Sequence, residues 1–92
     1  MTNEPELVSF RLFLAGSNLN SRQALANLRS LCEEFLADRY DIEIVDVLEH
    51  PERALKEGII LTPALVILSL QPPPVVVGNL SRREVILEAL GL

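Results

Sequence analysis

Only one cysteine, Cys32, stands among the 92 residues of this chain, so an internal disulfide and a CxxC redox pair are both excluded. Histidine is equally scarce. His50 stands alone and, without partners, serves neither as a metal ligand nor as a member of a catalytic triad. With three Phe, one Tyr and no Trp, the core has to be aliphatic. Cations are outnumbered, 8 Lys and Arg against 13 Asp and Glu for a net charge of −5, which argues against a nucleic-acid partner, because phosphate binding needs clustered basic residues. There is no glycine-rich phosphate loop, since Gly16 has no glycine near it. No apolar run reaches membrane-spanning length. The opening Met1-Thr2-Asn3-Glu4-Pro5 has no basic region ahead of an apolar one. A cytoplasmic protein without a membrane partner is the expectation.

What is present is an aliphatic, ordered composition, 49% hydrophobic against 23% charged, in a length suited to one domain over 1–92. Residues 1–6 are polar and expected to fray. In the stretch Leu7 to Leu14, Val8, Phe10, Leu12 and Leu14 fall on one face, and Leu7 and Phe13 on the other. Apolar content on both faces fits a central strand of a covered sheet. Ala15 to Asn20 reads as a loop ending in a helix cap, with Asn20 or Ser21 accepting from the first-turn amides. Leu25, Leu28, Cys32 and Phe35 then recur at helical spacing, widened by Ala24, Leu31 and Leu36. This predicts a first helix over about 21–37. Ile42 to Val47 predicts a second strand, so the front half is a right-handed βαβ unit with parallel strands.

The back half is punctuated by proline. Pro51 suits a first helical position, Glu52 the positive helix end and Gly58 its termination, predicting a short helix over 49–58. The apolar run Ile59-Ile60-Leu61 meets Thr62-Pro63 and resumes as a third strand, Ala64 to Leu70. Gln71-Pro72-Pro73-Pro74 has to be a stiff turn, and Val75 to Val77 a short strand antiparallel to the third. Ser81-Arg82-Arg83-Glu84 matches a capping box, with Leu80 and Val85 as a hydrophobic staple. Val85, Ile86, Ala89 and Leu90 would then form the buried side of a last helix.

The resulting order, βαβαββα, is that of an α/β domain with a mixed four-stranded sheet and helices on both faces. Together with a Thr-Pro step before the third strand, it resembles the thioredoxin-like fold. That resemblance implies a cis Thr62-Pro63 bond in a loop facing the binding site. The residues alone also allow an ordinary trans proline opening a strand. Thioredoxin-like enzymes carry a nucleophilic cysteine where strand one meets helix one, and this chain has Gly16 to Ser21 there. A serine hydroxyl without a base does not replace a low-pKa thiolate. Cys32 lies on the apolar stripe further along the helix and reads as core. Asp46, at the end of strand two, reads as a bond acceptor for nearby backbone and not as a buried proton acceptor. No cofactor or catalytic group is expected, and the chain reads as a non-enzyme. A redox or glutathione-binding enzyme using the Thr62-Pro63 loop is the weakest alternative.

Phe13-Leu14-Ala15-Gly16 followed by Asn20-Ser21, Ala24-Leu25 and Leu28 resembles the opening of the KaiB family of circadian clock proteins. Ile44 to Leu48 with Pro51, Ile60-Leu61-Thr62-Pro63, Pro72-Pro73-Pro74, and Gly78-Asn79-Leu80-Ser81 with Arg83-Glu84 extend the resemblance over nearly the whole chain. It implies a non-enzymatic module that binds the hexameric ATPase KaiC in clock or stress signalling, with KaiA or a sensor histidine kinase as further partners. A stand-alone adaptor similar to such a kinase's sensor domain is the second reading. The implied contact surface is the start of helix one (Asn18, Leu19, Asn20, Arg22), the edge of strand two (Tyr40, Asp41, Glu43) and helix two (Pro51, Glu52, Leu55). The resemblance also implies a metamorphic protein, in which about 48–92 exchange between a tetrameric ground form and a monomeric thioredoxin-like form.

Three departures from the family pattern shape the expectations. Ala89-Leu90-Gly91 stands where the family carries Gly-Leu-Asp. Alanine inside a helix is favoured over glycine by about 1 kcal/mol, and a Ser81–Glu84 capping box adds about as much, so the thioredoxin-like form is expected to dominate. Asp41 and Glu43 replace a small residue and a lysine, which would repel an acidic partner surface; reversing Glu43 to lysine is then expected to strengthen docking. The chain stops at Leu92 without an acidic tail, which favours a monomer or dimer over a tetramer.

Overall fold

Strand β1 (Val8–Leu14) occupies the interior of a four-stranded sheet whose order is β2-β1-β3-β4. The computed structural model describes residues 7–92, and the expectation for 1–6 lies outside them. In chain order β1 is followed by α1 (Leu19–Phe35), β2 (Tyr40–Asp46), α2 (Pro51–Lys56), β3 (Ala64–Ile67), β4 (Val75–Val77) and α3 (Arg83–Leu90). β1 runs parallel to β2 in the register Val8↔Tyr40 to Leu14↔Asp46. It runs antiparallel to β3, with Phe13 opposite Ala64, and β3 runs antiparallel to β4. This is the mixed thioredoxin-like sheet, with helices packed on both of its faces.

The alternation along β1 divides the interior in two. Phe10, Leu12 and Leu14 pack with Ala24, Leu28, Leu31, Cys32 and Leu36 of the α1 region, Leu65 and Ile67 of β3, and Ile86 of α3. On the opposite face Phe13 meets Val45, Ala54 of α2, Ala64 and Val66. So α1 and α3 cover one face, and α2 covers part of the other.

Several boundaries differ from the sequence reading. α1 begins at Leu19, because the side chain of Asn18, not that of Asn20 or Ser21, caps it by accepting from the Ser21 amide at 2.8 Å. Ser21 is buried, and its Oγ accepts from the Ala15 amide at 3.2 Å. β2 starts earlier, at Tyr40, and α2 is shorter than 49–58, since the amides of Glu49 and His50 are taken by the Asp46 carbonyl. Gly58, at φ 71°, does end that helix. β3 stops at Ile67 because Ser69 replaces the ladder, its Oγ accepting from the Ser9 amide at 2.7 Å and donating to the Leu7 carbonyl at 3.4 Å. Thr62-Pro63 is cis, and so is Gln71-Pro72, which the sequence reading left as part of a stiff turn.

The largest correction concerns the start of α3. No capping box forms: the cap position is Arg82, without a side-chain bond, and Ser81 lies one residue before it. The cause is Asn79. Its Oδ1 accepts from the Ser81 amide at 3.0 Å, its Nδ2 donates to Gln23 at 3.2 Å, and its carbonyl accepts from Asn27 at 2.8 Å. This Asx turn sets Leu80 at φ 63° and buries it, so the helix starts later and presents a different side. Arg83, Ile86, Leu87 and Leu90 face inward, while Val85 and Ala89, expected in the core, are exposed. Glu84 is exposed beside Arg82 at 3.5 Å. At the other end Gly91 adopts φ 76°, and Leu92 donates to Leu87 at 2.9 Å, the bond of a Schellman cap.

Candidate functional site

Three loops leave the sheet at one end. Parallel pairing puts the C-terminal ends of β1 and β2 side by side, Leu14 against Asp46, and the start of β3 lies across from Phe13. The β1–α1 loop, the β2–α2 loop and the cis-proline loop therefore share that end. Asp46 ties the first two together. Its Oδ1 accepts from the Gly16 amide at 3.1 Å and from the Leu48 amide at 2.9 Å, the role of a strand-end carboxylate bonded to backbone that the sequence suggested. Gly16, at φ 66°, is needed here, since a Cβ would stand 3.2 Å from Leu48 Cδ1.

This end is unusually apolar for a surface. Leu19 is 60% exposed, Leu48 71% and Leu55 80%, and Ile60 and Leu61 project from the loop before Thr62-Pro63 at 91% and 64%. Exposed aliphatic side chains gathered at one end mark a protein-contact surface more readily than a catalytic one. Asn18, Leu19, Asn20 and Arg22 at the start of α1, and Pro51, Glu52 and Leu55 of α2, lie on it, all of them exposed. Thr62 is half-buried there and Pro63 is buried, its carbonyl accepting from the Gly78 amide at 2.9 Å.

Tyr40 and Asp41 do not join this group. They begin β2, at the opposite end of the sheet, about 20 Å away at the rise of a strand. Tyr40 is half-buried against the larger core, and Asp41 is exposed. Glu43 lies between the two ends, on the α2 face, and its charge is not free. Its carboxylate accepts from Arg11 Nε at 2.6 Å and from Arg53 Nη1 at 2.9 Å, and Arg11 also reaches Glu57 at 2.9 Å. The hydrogen bonds from Arg53 and then Arg11 hold the Glu43 carboxyl below its ordinary pKa. With two guanidinium groups already on it, Glu43 has little charge left to repel a partner, and a lysine there would break the network that ties α2 to the sheet. The expectation of stronger docking on Glu43 reversal therefore loses its basis, and Asp41 is the acidic residue of this strand left to face outward.

Sequence reasoning missed Leu48, Ile60 and Leu61 as surface residues. By sequence the last two belong to one apolar run, Ile59-Ile60-Leu61, that leads to the third strand. Their signal was position: two large aliphatics ahead of a Thr-Pro step, outside any strand, have no sheet face to bury them. Ser17 is exposed, and Cys32 is fully buried within α1, where desolvation pushes its thiol up to about 11. His50 lies on the surface with Nδ1 3.5 Å from Glu52. Among the described residues no cluster of His, Cys, Asp and Glu suits a metal ion, and no helix is long and apolar enough to cross a membrane.

Comparison with known proteins places this arrangement. Over 87 residues the chain is 40% identical to the circadian clock protein KaiB3 of Synechocystis sp., covering 92% of this chain and 83% of that one. It is 38% identical over 84 residues to the circadian clock oscillator protein KaiB of Microcystis aeruginosa, covering 89% of this chain and 79% of that one. Among solved structures, the N-terminal domain of Synechococcus elongatus SasA superposes with a TM-score of 0.74 over 92% of this chain and 81% of that one, at 15% identity, a likeness of fold alone. A family model described as the KaiB domain matches residues 11–92. With that match and those relatives, the chain belongs to the KaiB family.

Proposed function

We propose that this chain is a non-enzymatic protein-binding module that docks on a KaiC-type hexameric ATPase, in circadian or related stress signalling. The observation that carries this reading is the apolar loop end of the sheet, where Leu48 stands exposed on a loop held by Asp46, with Leu19 of α1 and Leu55 of α2 exposed beside it. Preorganised loops lose little freedom on binding, and exposed aliphatics supply the contact. Asn18, Asn20, Arg22, Pro51 and Glu52 surround those aliphatics and form the rim of the contact, while Tyr40 and Asp41 would touch only a partner long enough to follow β2. A KaiA-like protein or a sensor kinase is the further partner this reading admits. The thioredoxin-like arrangement is the form that docks and the dominant one, with exchange, where it occurs, confined to about 48–92. The module acts in the cytoplasm.

The test is binding of the purified protein to the KaiC-type ATPase of its own source, compared in ATP and in ADP. Nucleotide-dependent binding that Leu48→Glu or Leu55→Glu weakens by about tenfold or more, with the circular dichroism unchanged, supports the reading. Absence of binding in both states overturns it. A second reading, a stand-alone adaptor occupying the same docking site as a sensor kinase, draws on the backbone likeness to the SasA domain. Competition between this chain and such a kinase for one ATPase, without any effect on the oscillator, would favour that reading.

A further inference from the structure

α2 carries three of the docking residues and is poorly equipped to hold itself in place. It has six residues, and His50 at its start makes no side-chain cap bond. Ala54 is its one buried residue, packed with Phe13 and Val45 of the sheet. A single alanine supplies little apolar area, so burial alone fixes this helix weakly.

What α2 does have is a pair of opposite charges turned to the sheet. Arg11 and Glu43 are register partners on β1 and β2, on the face where Phe13 and Val45 meet Ala54. Arg53 Nη1 donates to Glu43 at 2.9 Å, and Glu57, the C-cap of α2, accepts from Arg11 Nη1 at 2.9 Å. Arg11 Nε also donates to Glu43 at 2.6 Å. The four side chains form a line of alternating sign, Arg53–Glu43–Arg11–Glu57, that leaves the helix, crosses both strands and returns. The spacings agree, since four residues of helix rise about 6 Å and neighbouring strands lie ~4.8 Å apart. The pattern has one direction: a reversed helix would set Arg53 against Arg11 and Glu57 against Glu43. It also decides what points outward. At about 100° per residue, Arg53, Ala54 and Glu57 share one side of α2, and Pro51, Glu52 and Leu55 share the other. Leu55 is 80% exposed, with Pro51 and Glu52 exposed beside it.

We propose that Arg11 and Glu43 are positioning residues for docking: as a crossed ion clamp on Arg53 and Glu57 they hold α2 in the one rotation that displays Leu55 to the partner. This role rests on the docking reading and deepens it. Glu43, a contact residue by family resemblance, acts here without touching the partner, and so does Arg11. Partly exposed ion pairs add little to global stability. A helix with so little buried area needs only a small bias to keep one orientation, so the clamp matters more for where α2 sits than for whether the domain folds.

The experiment joins docking to the KaiC-type ATPase of the chain's own source with backbone amide exchange of the free protein. Arg11→Met keeps the aliphatic stem and removes the bonds to Glu43 and Glu57. It should weaken docking by about fivefold or more, with the circular dichroism of the wild type. In the free variant the amides of Gly58 and Ile59, bonded to the Leu55 and Ala54 carbonyls, should exchange about tenfold faster. That of Val47, bonded to Leu14 across the β1–β2 pair, should not change. A role in stability alone would lower the urea midpoint and leave the affinity of the folded protein where it is. Leu55→Ala completes a double-mutant cycle: without Leu55, Arg11→Met should cost docking little more, because the clamp then has nothing to display. Wild-type docking by Arg11→Met, or unchanged exchange at Gly58 and Ile59, overturns the proposal and leaves the docking reading standing. Full additivity of the two substitutions overturns it as well, and makes Arg11 a direct contact. A wild type that binds in neither nucleotide state overturns the docking reading itself, and the role of the clamp in docking with it.

Discussion

Glu43 sits between Arg11 and Arg53, and its worth depends on staying ionised. Because its pKa is depressed in the folded state, the contribution is present in full above the unfolded value, about 4.3, and is lost as the pH falls through the folded value. Glu43→Gln should lower stability at neutral pH by about 1 kcal/mol, the scale of a partly exposed pair, as read from urea midpoints. The variant should also lose less stability than the wild type between about pH 5 and pH 3. Equal acid sensitivity of the two would remove the network from the account. Cys32 makes the opposite case. A thiol pushed up to about 11 is almost wholly protonated at neutral pH, so a thiol reagent should label the folded protein far more slowly than the protein in urea. Rapid labelling without denaturant would contradict its burial. At this scale the sequence was legible where spacing decided the matter: Cys32 on the α1 stripe and Asp46 at a strand end were read correctly. It was not legible where two nearby asparagines offer alternative starts for one helix, as Asn18 and Asn20 do for α1. That outcome depends on where Gly16 turns the chain.

The elements show the same division. The βαβ half, the short α2 and both strands of the β3–β4 pair follow from periodicity and proline placement, and only their ends moved. α3 formed where expected but turned a different side inward, because Asn79 and not Ser81 organises its start. No local pattern reveals this, since the bonds of Asn79 run to Gln23 and Asn27 on α1, more than 50 residues away in sequence. The two asparagine and serine sites give a direct comparison. Asn79→Ala removes the two side-chain bonds beside a left-handed Leu80 and should cost about 1–3 kcal/mol in denaturant unfolding, whereas Ser81→Ala should stay within about 0.5 kcal/mol. The reverse ranking would restore the capping box. Opposite that turn, Arg83 holds α3 to the end of α1, reaching Glu34 at 2.7 Å and lying 5.3 Å from the centre of the Phe35 ring.

For the whole molecule, the question is which arrangement the back half adopts. The helical form rests on Ile86, fully buried among β1, β3 and α1, and on the glycine cap at Gly91. Carbon chemical shifts of the wild type should report helix across 83–90. Strand shifts over 81–90 would mean that another arrangement dominates. Ile86→Ala should cost about 2–5 kcal/mol, as buried large-to-small changes do, and Ala89→Gly about 1 kcal/mol through helix propensity alone, because its side chain is exposed. One further consequence follows from the place of β1 between a parallel and an antiparallel neighbour. Tension applied from Leu7 to Val47 runs along the β1–β2 ladder, so its hydrogen bonds bear the load together. Tension applied between Ala64 and Val77 opens the β3–β4 ladder from its end, one bond after another. The same small sheet should therefore resist stretching in the first direction at far higher force than in the second.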